Sequence, residues 1–331
     1  MFKMGIIGTG EIAHIMANTV KNMPDVCIAA VASRSIEKAN GFATEINEMQ
    51  NIPCKAYGSY EKLADDGDID LIYIATPHSQ HFKNMMLCIE KGKNVLCEKA
   101  FTVDAEDAEK VIEAAKRKGV FLAEAMWTRH MPLVNVIKRI AEGKVIGKVN
   151  MVSANMHFPM RHKERLLKNS LAGGALLDVG IYPLTIASLV YGFDVEKLTV
   201  RGKVSDEKVD ENAVAVLQYK NGGMADINWG MAELSDCKAT MYAEGGMAVI
   251  EGVNHIRKID IFDAGFNLIE SYEAPENEIS GYEYEVMDCV KSINENRTES
   301  EIMSHETTLN MLKLMDAIRE QLGVVYDKTQ F

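Results

Sequence analysis

The chain has 331 residues, 47% hydrophobic and 25% charged, a composition that suits a soluble globular protein long enough to divide into two domains. Its formal net charge of −12 repels phosphate backbones and anionic lipid, which excludes nucleic acid and membrane as expected partners. The six cysteines (Cys27, Cys54, Cys88, Cys97, Cys237 and Cys289) show no CxxC spacing and read as reduced and structural. The chain enters an apolar strand at Phe2 with no basic leader, and no uncharged run reaches spanning length, so the expected location is the cytoplasm.

In chain order, the first strand runs from Lys3 to Ile7 and leads into Gly8-Thr9-Gly10-Glu11-Ile12-Ala13, ahead of a helix from about Glu11 to Lys21. This is a GxGxxA dinucleotide fingerprint between a strand and a helix. Gly8 permits the tight turn, Gly10 lets a pyrophosphate approach the backbone, Ala13 allows close helix packing, and the helix start offers free N–H groups to an anion. The next strand, Cys27 to Ala32, ends in Ser33-Arg34-Ser35, where an acid would hold the ribose of NAD. A guanidinium with hydroxyls suits a 2′-phosphate, so the reading favours NADP, with NAD as the alternative because Glu37 lies close by.

The strand at Leu71 to Ala75 is followed by Thr76-Pro77-His78-Ser79-Gln80-His81, and the strand at Asn94 to Cys97 by Glu98-Lys99. Both segments sit at the carboxyl ends of sheet strands, where open α/β sheets bind ligands. A helix follows in which Asp104 is the N-cap, Glu106 and Asp107 fill the first turn, and Lys116-Arg117-Lys118 precede a terminating Gly119. A last strand at Val120 to Ala123 completes an alternation that predicts a parallel sheet covered by helices over residues 1–124.

Beyond Trp127 the pattern changes. A helix from Leu133 to Ala141, a strand near Val149 to Met156 and an apolar helix after Gly180 lead into strands near Leu198 to Val204, Ala213 to Tyr219, Ala225 to Trp229, Lys238 to Tyr242 and Ile256 to Phe262. Short turn signals such as Asn221-Gly222-Gly223 and Gly245-Gly246 predict a large, mainly antiparallel sheet in an α+β domain over residues 125–331, one face packed on helices and the other open to a second copy of the chain. The final helix, from about Ser304 with Met311, Met315, Ile318 and Leu322 in helical spacing, is expected to pack on a core, with the first domain as one possibility. Ahead of these strands, Gly173-Gly174-Ala175-Leu176-Leu177-Asp178-Val179-Gly180-Ile181-Tyr182-Pro183 places an acid and a phenol one helical turn apart. Composition alone reads it as a helix start, with Asp178 as cap and Tyr182 in the core.

Together GTGEIA, EKA at Glu98 to Ala100, AEAMWTRHMP at Ala123 to Pro132 and GGALLDVGIYP resemble the Gfo/Idh/MocA oxidoreductases, and most closely their dimeric dihydrodiol dehydrogenase and NADP-dependent D-xylose dehydrogenase branch. The resemblance implies a Rossmann domain binding NAD(P) and a homodimer. It further implies that Tyr182 is the general acid/base, Asp178 its helper and Lys99 the lysine that favours phenolate. By the same resemblance Trp127, Arg129 and His78 line the nicotinamide and substrate space, and Arg165 is a weaker substrate-side candidate. The sequence departs from the family's Glu-Lys-Pro at Ala100, which predicts a less rigid hold on Lys99.

No metal site is expected, since the eight histidines are scattered, and no GxSxG elbow supports serine hydrolysis. The expected activity is NADP-linked hydride transfer to or from a secondary alcohol on a sugar, polyol or cyclic diol. The alternatives are an NAD-linked sugar or inositol dehydrogenase and a catalytically silent dinucleotide-binding sensor.

Overall fold

A computed structural model describes residues 1–331, the side chain of Gln330 excepted. The chain divides into two compact units, Met1–Met126 with Ile279–Leu309, and Trp127–Glu278 with Asn310–Phe331.

The first unit is built on six strands: β1 (Phe2–Ile7), β2 (Val26–Ala32), β3 (Lys55–Tyr57), β4 (Leu71–Ile74), β5 (Val95–Glu98) and β6 (Leu122–Ala125). Their order is β3-β2-β1-β4-β5-β6 and every neighbouring pair is parallel. The chain order reverses between β1 and β4, the switch point at which such sheets bind ligands. Strands β2 and β4 are buried throughout, as expected of a parallel sheet covered on both faces. Sequence periodicity located every strand except β3, whose three residues lie at an edge. The helix Ala105–Lys118 has the predicted ends: Asp104 Oδ1 accepts the Asp107 N–H at 3.0 Å, and Gly119 takes a φ of 67°.

The tail differs from the expected division at residue 124, because Ile279–Leu309 clusters with the first unit. Its helix Glu283–Asn294 buries Val286 and Cys289 in the same core as Tyr73, Leu96 and Phe121. Val286, Cys289, Val290 and Ile293 give it an apolar stripe at helical spacing, but the buried acids Glu283 and Glu285 interrupt that face, so the sequence pattern assigns no element here.

The second unit holds an eight-stranded sheet of β7 (Val149–His157), β8 (Val195–Val204), β9 (Asp210–Tyr219), β10 (Met224–Gly230), β11 (Lys238–Ala243), β12 (Gly246–Glu251), β13 (Lys258–Asp263) and β14 (Leu268–Glu273). The order is β14-β13-β12-β11-β7-β10-β9-β8, antiparallel everywhere except at the central β7–β10 pair. The sequence missed β12 and β14, the second strands of tight hairpins. On one face lies the buried helix Ile181–Tyr191, which packs against β7 and β10 and is preceded by a π turn over Leu176–Gly180. The stretch Asn169–Tyr191 has the length and composition to cross a membrane, yet 94% of its most apolar window is buried inside the fold, and Asp178 and Pro183 interrupt it. It is a core element.

Candidate active site

In the first unit the fingerprint forms a cradle. Gly8 has φ 109°, and a side chain there would meet the Ala75 carbonyl oxygen at 2.6 Å, so only glycine lets β1 and β4 approach at this turn. A Cβ at Gly10, the N-cap of the helix Glu11–Val20, would meet nothing within 4 Å, and no side chain caps this helix. Its first N–H groups therefore have no side-chain cap, and the space over Gly10 is open to an anion such as a pyrophosphate. Thr9 and Ile12 are half-buried at its rim and Glu11 is exposed.

At the end of β2, Ser33 is buried and its N–H donates to the Tyr57 carbonyl at 3.1 Å, while Arg34 is exposed. The Ser35 hydroxyl caps the following helix through the Lys38 N–H at 3.3 Å and donates to Glu37 Oε2 at 2.6 Å. That hydroxyl holds the Glu37 carboxyl below its ordinary range. Arg34 lies beside the Tyr60 phenol, a neighbour the sequence gave no reason to notice.

The loops after β4 and β5 are braced together. His81 is fully buried, with Nε2 2.7 Å from the Thr76 carbonyl and Nδ1 2.8 Å from the Ala100 carbonyl, and Asn84 donates to the Thr76 hydroxyl at 3.0 Å. Burial holds the His81 pKa down against the pull of these carbonyls. The structure thus gives His81 a bracing place beneath the loop, whereas His78, edge-on to it at 5.7 Å, is 7% exposed and Pro77 is half-buried. The Lys99 N–H donates to Glu98 Oε2 at 3.2 Å, the Tyr73 hydroxyl donates to Glu98 Oε1, and the Lys99–Ala100 peptide is cis. Ala100, in place of the family proline, is tied by its carbonyl to His81, so the segment after Lys99 has a fixed partner.

In the second unit Trp127 and Arg129 meet the helix that follows the GGALLDVG turn. The Trp127 indole N–H donates to the Tyr182 hydroxyl at 3.2 Å, and both residues are 6% exposed. The other side of the indole meets the His255 ring at 5.1 Å, and His255 Nε2 lies 2.6 Å from Glu278 Oε1. Arg129 donates to the Ser188 hydroxyl at 3.0 Å. Asp178 lies inside the π turn and pairs with Arg165 at 2.9 Å, so it is not the cap that composition suggested. Sequence reading left His255 and Glu278 unassigned, because no motif spacing ties either to Trp127. Among the described residues no group of three or more His, Cys, Asp or Glu side chains is arranged to hold a metal ion.

Residues 2–126 match a family profile described as "Oxidoreductase family, NAD-binding Rossmann fold", and residues 134–249 match the GFO/IDH/MocA C-terminal domain. The chain is 33% identical over 341 residues to trans-1,2-dihydrobenzene-1,2-diol dehydrogenase of Xenopus laevis, covering 98% of this chain and 99% of that protein. It is 41% identical over 202 residues to D-xylose 1-dehydrogenase (NADP(+)) of Hypocrea jecorina, covering 55% of this chain and 51% of the other. Among solved structures, a 3-ketoreductase from Actinomadura kijaniata in complex with NADP and TDP-benzene superposes with a TM-score of 0.84 at 23% identity, covering 97% of each chain. An aldose-aldose oxidoreductase from Caulobacter crescentus gives a TM-score of 0.85 at 20% identity over 97% of each.

Proposed function

Because the chain belongs to the Gfo/Idh/MocA family of oxidoreductases, we propose that it transfers a hydride between NADP and a secondary alcohol or carbonyl carbon of a sugar, polyol or cyclic diol, with Tyr182 as general acid/base. The curated relatives act on a diol and on D-xylose, which supports this substrate class. The cofactor supplies a two-electron acceptor or donor when bound. The Gly8–Ile12 turn would hold its pyrophosphate, and Ser33 with Arg34 would hold the 2′-phosphate. During oxidation the carbinol C–H pair leaves as hydride and the hydroxyl proton passes to the Tyr182 oxygen; reduction reverses both transfers. Lys99 would supply positive charge that favours phenolate, Asp178 would act as helper to Tyr182 one turn away, and Trp127 orients the phenol by its N–H.

The observation that carries the reading is the Trp127–Tyr182 hydrogen bond, which fixes a phenol oxygen in a low-dielectric setting four residues from a paired carboxylate. Tyr182→Phe should lower kcat by about 10²–10⁴-fold with unchanged NADPH affinity, assayed by NADPH absorbance on a panel of sugars, polyols and diols. Full turnover by the Phe variant, or no turnover of any panel member by the wild type, overturns it. Arg34→Ala should weaken NADP binding and spare NAD; an equal effect on both favours the NAD-linked alternative. We further propose a cytoplasmic homodimer joined through the open face of the second sheet, which the six free cysteines, five of them buried, and the exposed apolar side chains of that face support.

A further inference from the structure

The helix that carries Tyr182 is capped from a distance. The first N–H groups of a helix have no partner within it, and a cap normally comes from the residue just before. Here that residue is Ala175, whose side chain accepts nothing, and the Leu176 N–H donates instead to Asp210 Oδ2 at 2.7 Å. Asp210 opens β9, 34 residues farther along the chain, and is fully buried. The same oxygen accepts the Trp229 indole N–H at 2.9 Å, and Trp229 is itself fully buried on β10.

The two glycines that bracket the motif are fitted to this pair. A Cβ on Gly174, whose φ is 112°, would lie 2.3 Å from Asp210 Oδ1, and a Cβ on Gly180 would lie 2.9 Å from Trp229 Cγ. Asp210 therefore occupies the space at the front of the π turn and Trp229 the space at its back, with Asp178 between. A third tie comes from below, where the Tyr326 hydroxyl donates to the Gly173 carbonyl at 2.6 Å and the Arg319 guanidinium stacks 4.7 Å from the Tyr326 ring centroid. Arg319 and Tyr326 are the ionisable groups whose charge bears on Asp210. Single π turns recur at functional sites because they aim side chains that a regular helix would not.

We propose that Asp210, acting through Leu176 and Trp229, is the positioning residue that sets the direction of the Asp178–Tyr182 segment. The proposal rests on Tyr182 being the acid/base. It differs from a purely structural role in what it predicts: the chemical step should respond before the fold or the cofactor site does.

The test compares Asp210→Asn, Asp210→Ala and Trp229→Phe in the full chain. The Asn variant can present one amide oxygen to both donors but lacks the charge that strengthens those bonds, so its kcat should fall about 5-fold with a displaced pKa in the kcat profile, and the Ala variant, which removes the acceptor, should fall further. Trp229→Phe, which keeps the ring against Gly180 and deletes the indole N–H, should lose about 3-fold with a displacement in the same direction. NADPH affinity should stay at the wild-type value in all three. A kcat within 2-fold and an unmoved profile in Asp210→Asn and Trp229→Phe overturn the proposal, as does loss of NADPH affinity in step with kcat. If Asp210→Ala does not fold, the Asp210→Asn and Trp229→Phe profiles decide. Should Tyr182→Phe turn over normally, the acid/base assignment itself fails, whatever the Asp210 variants do.

Discussion

Arg165 and Asp178 form an ion pair at 2.9 Å in which the carboxylate is nearly buried, with 9% of its side chain exposed, and the guanidinium is the more open partner at 36%. The pairing gives Arg165 an occupation that a substrate-side reading did not foresee. Removing one partner of such a pair leaves a poorly solvated charge. Arg165→Ala should therefore favour a protonated Asp178 and lower kcat by about 10-fold, with a smaller change in substrate KM. Arg165→Lys, a point charge without the planar fork, should fall between. If substrate KM rises while kcat holds, Arg165 contacts substrate instead.

The Trp127 indole donates to the Tyr182 oxygen at 3.2 Å, and donation to an oxygen favours its ionised form. Trp127→Phe deletes the donor and keeps most of the ring. In the oxidation direction, where Tyr182 accepts the proton, the acidic limb of the kcat profile should move to higher pH, and the rate near neutrality should drop about 3–10-fold. A profile superimposable on wild type would leave the hydrogen bond without catalytic weight.

What the sequence disclosed, and what it withheld, follows from the range of each interaction. The helix Ala105–Lys118 was readable to its ends, because Asp104 caps three residues away and Gly119 acts on its own φ. The Gly8–Gly10 turn was readable for the same reason. By contrast, Asp210 meets Leu176 across 34 residues and His255 meets Trp127 across 128, and neither separation leaves a periodic mark. The motif glycines at 174 and 180 were visible, but the side chains that require them lie on β9 and β10. The helix Glu283–Asn294 was hidden because its buried face includes Glu285, an acid at a core position.

Glu285 supplies a pH-dependent prediction. It is fully buried with neither carboxyl oxygen hydrogen-bonded, and burial first, then the Glu98 and Glu124 charges, raise its pKa well above the ordinary carboxylate value. The folded protein therefore holds the proton while the unfolded chain releases it above the usual carboxylate range. The resulting penalty is absent below that range and grows as pH rises toward the folded pKa. Glu285→Gln stays neutral and escapes it, so the variant should be more stable by about 1–3 kcal/mol at pH 8 and equal to wild type near pH 4. A stability difference by urea denaturation that does not change with pH would mean that Glu285 does not carry this proton.

The open face of the second sheet carries a row of apolar side chains set by strand register. Met224 pairs with Met151, Met151 with Tyr242, Tyr242 with Met247, Met247 with Phe262 and Phe262 with Leu268. Within it Met151, Met224, Tyr242 and Leu268 are 37%, 42%, 43% and 55% exposed. Isolated exposed apolar residues are ordinary, but a line across neighbouring strands is a contiguous patch. At about 4.8 Å per strand the eight-stranded face is roughly 35 Å wide, which accommodates the about 800 Å² per partner of a standard interface. A symmetric dimer would place the same row on both sides, so one charged substitution enters the interface twice. Met151→Lys, on the central strand β7 of the sheet, should turn a wild-type dimer into a monomer by sedimentation at micromolar concentration. Because Met151 points away from the helix Ile181–Tyr191, NADPH affinity should be retained. A wild-type chain that sediments as a monomer at the same concentration removes this face from consideration as a dimer surface.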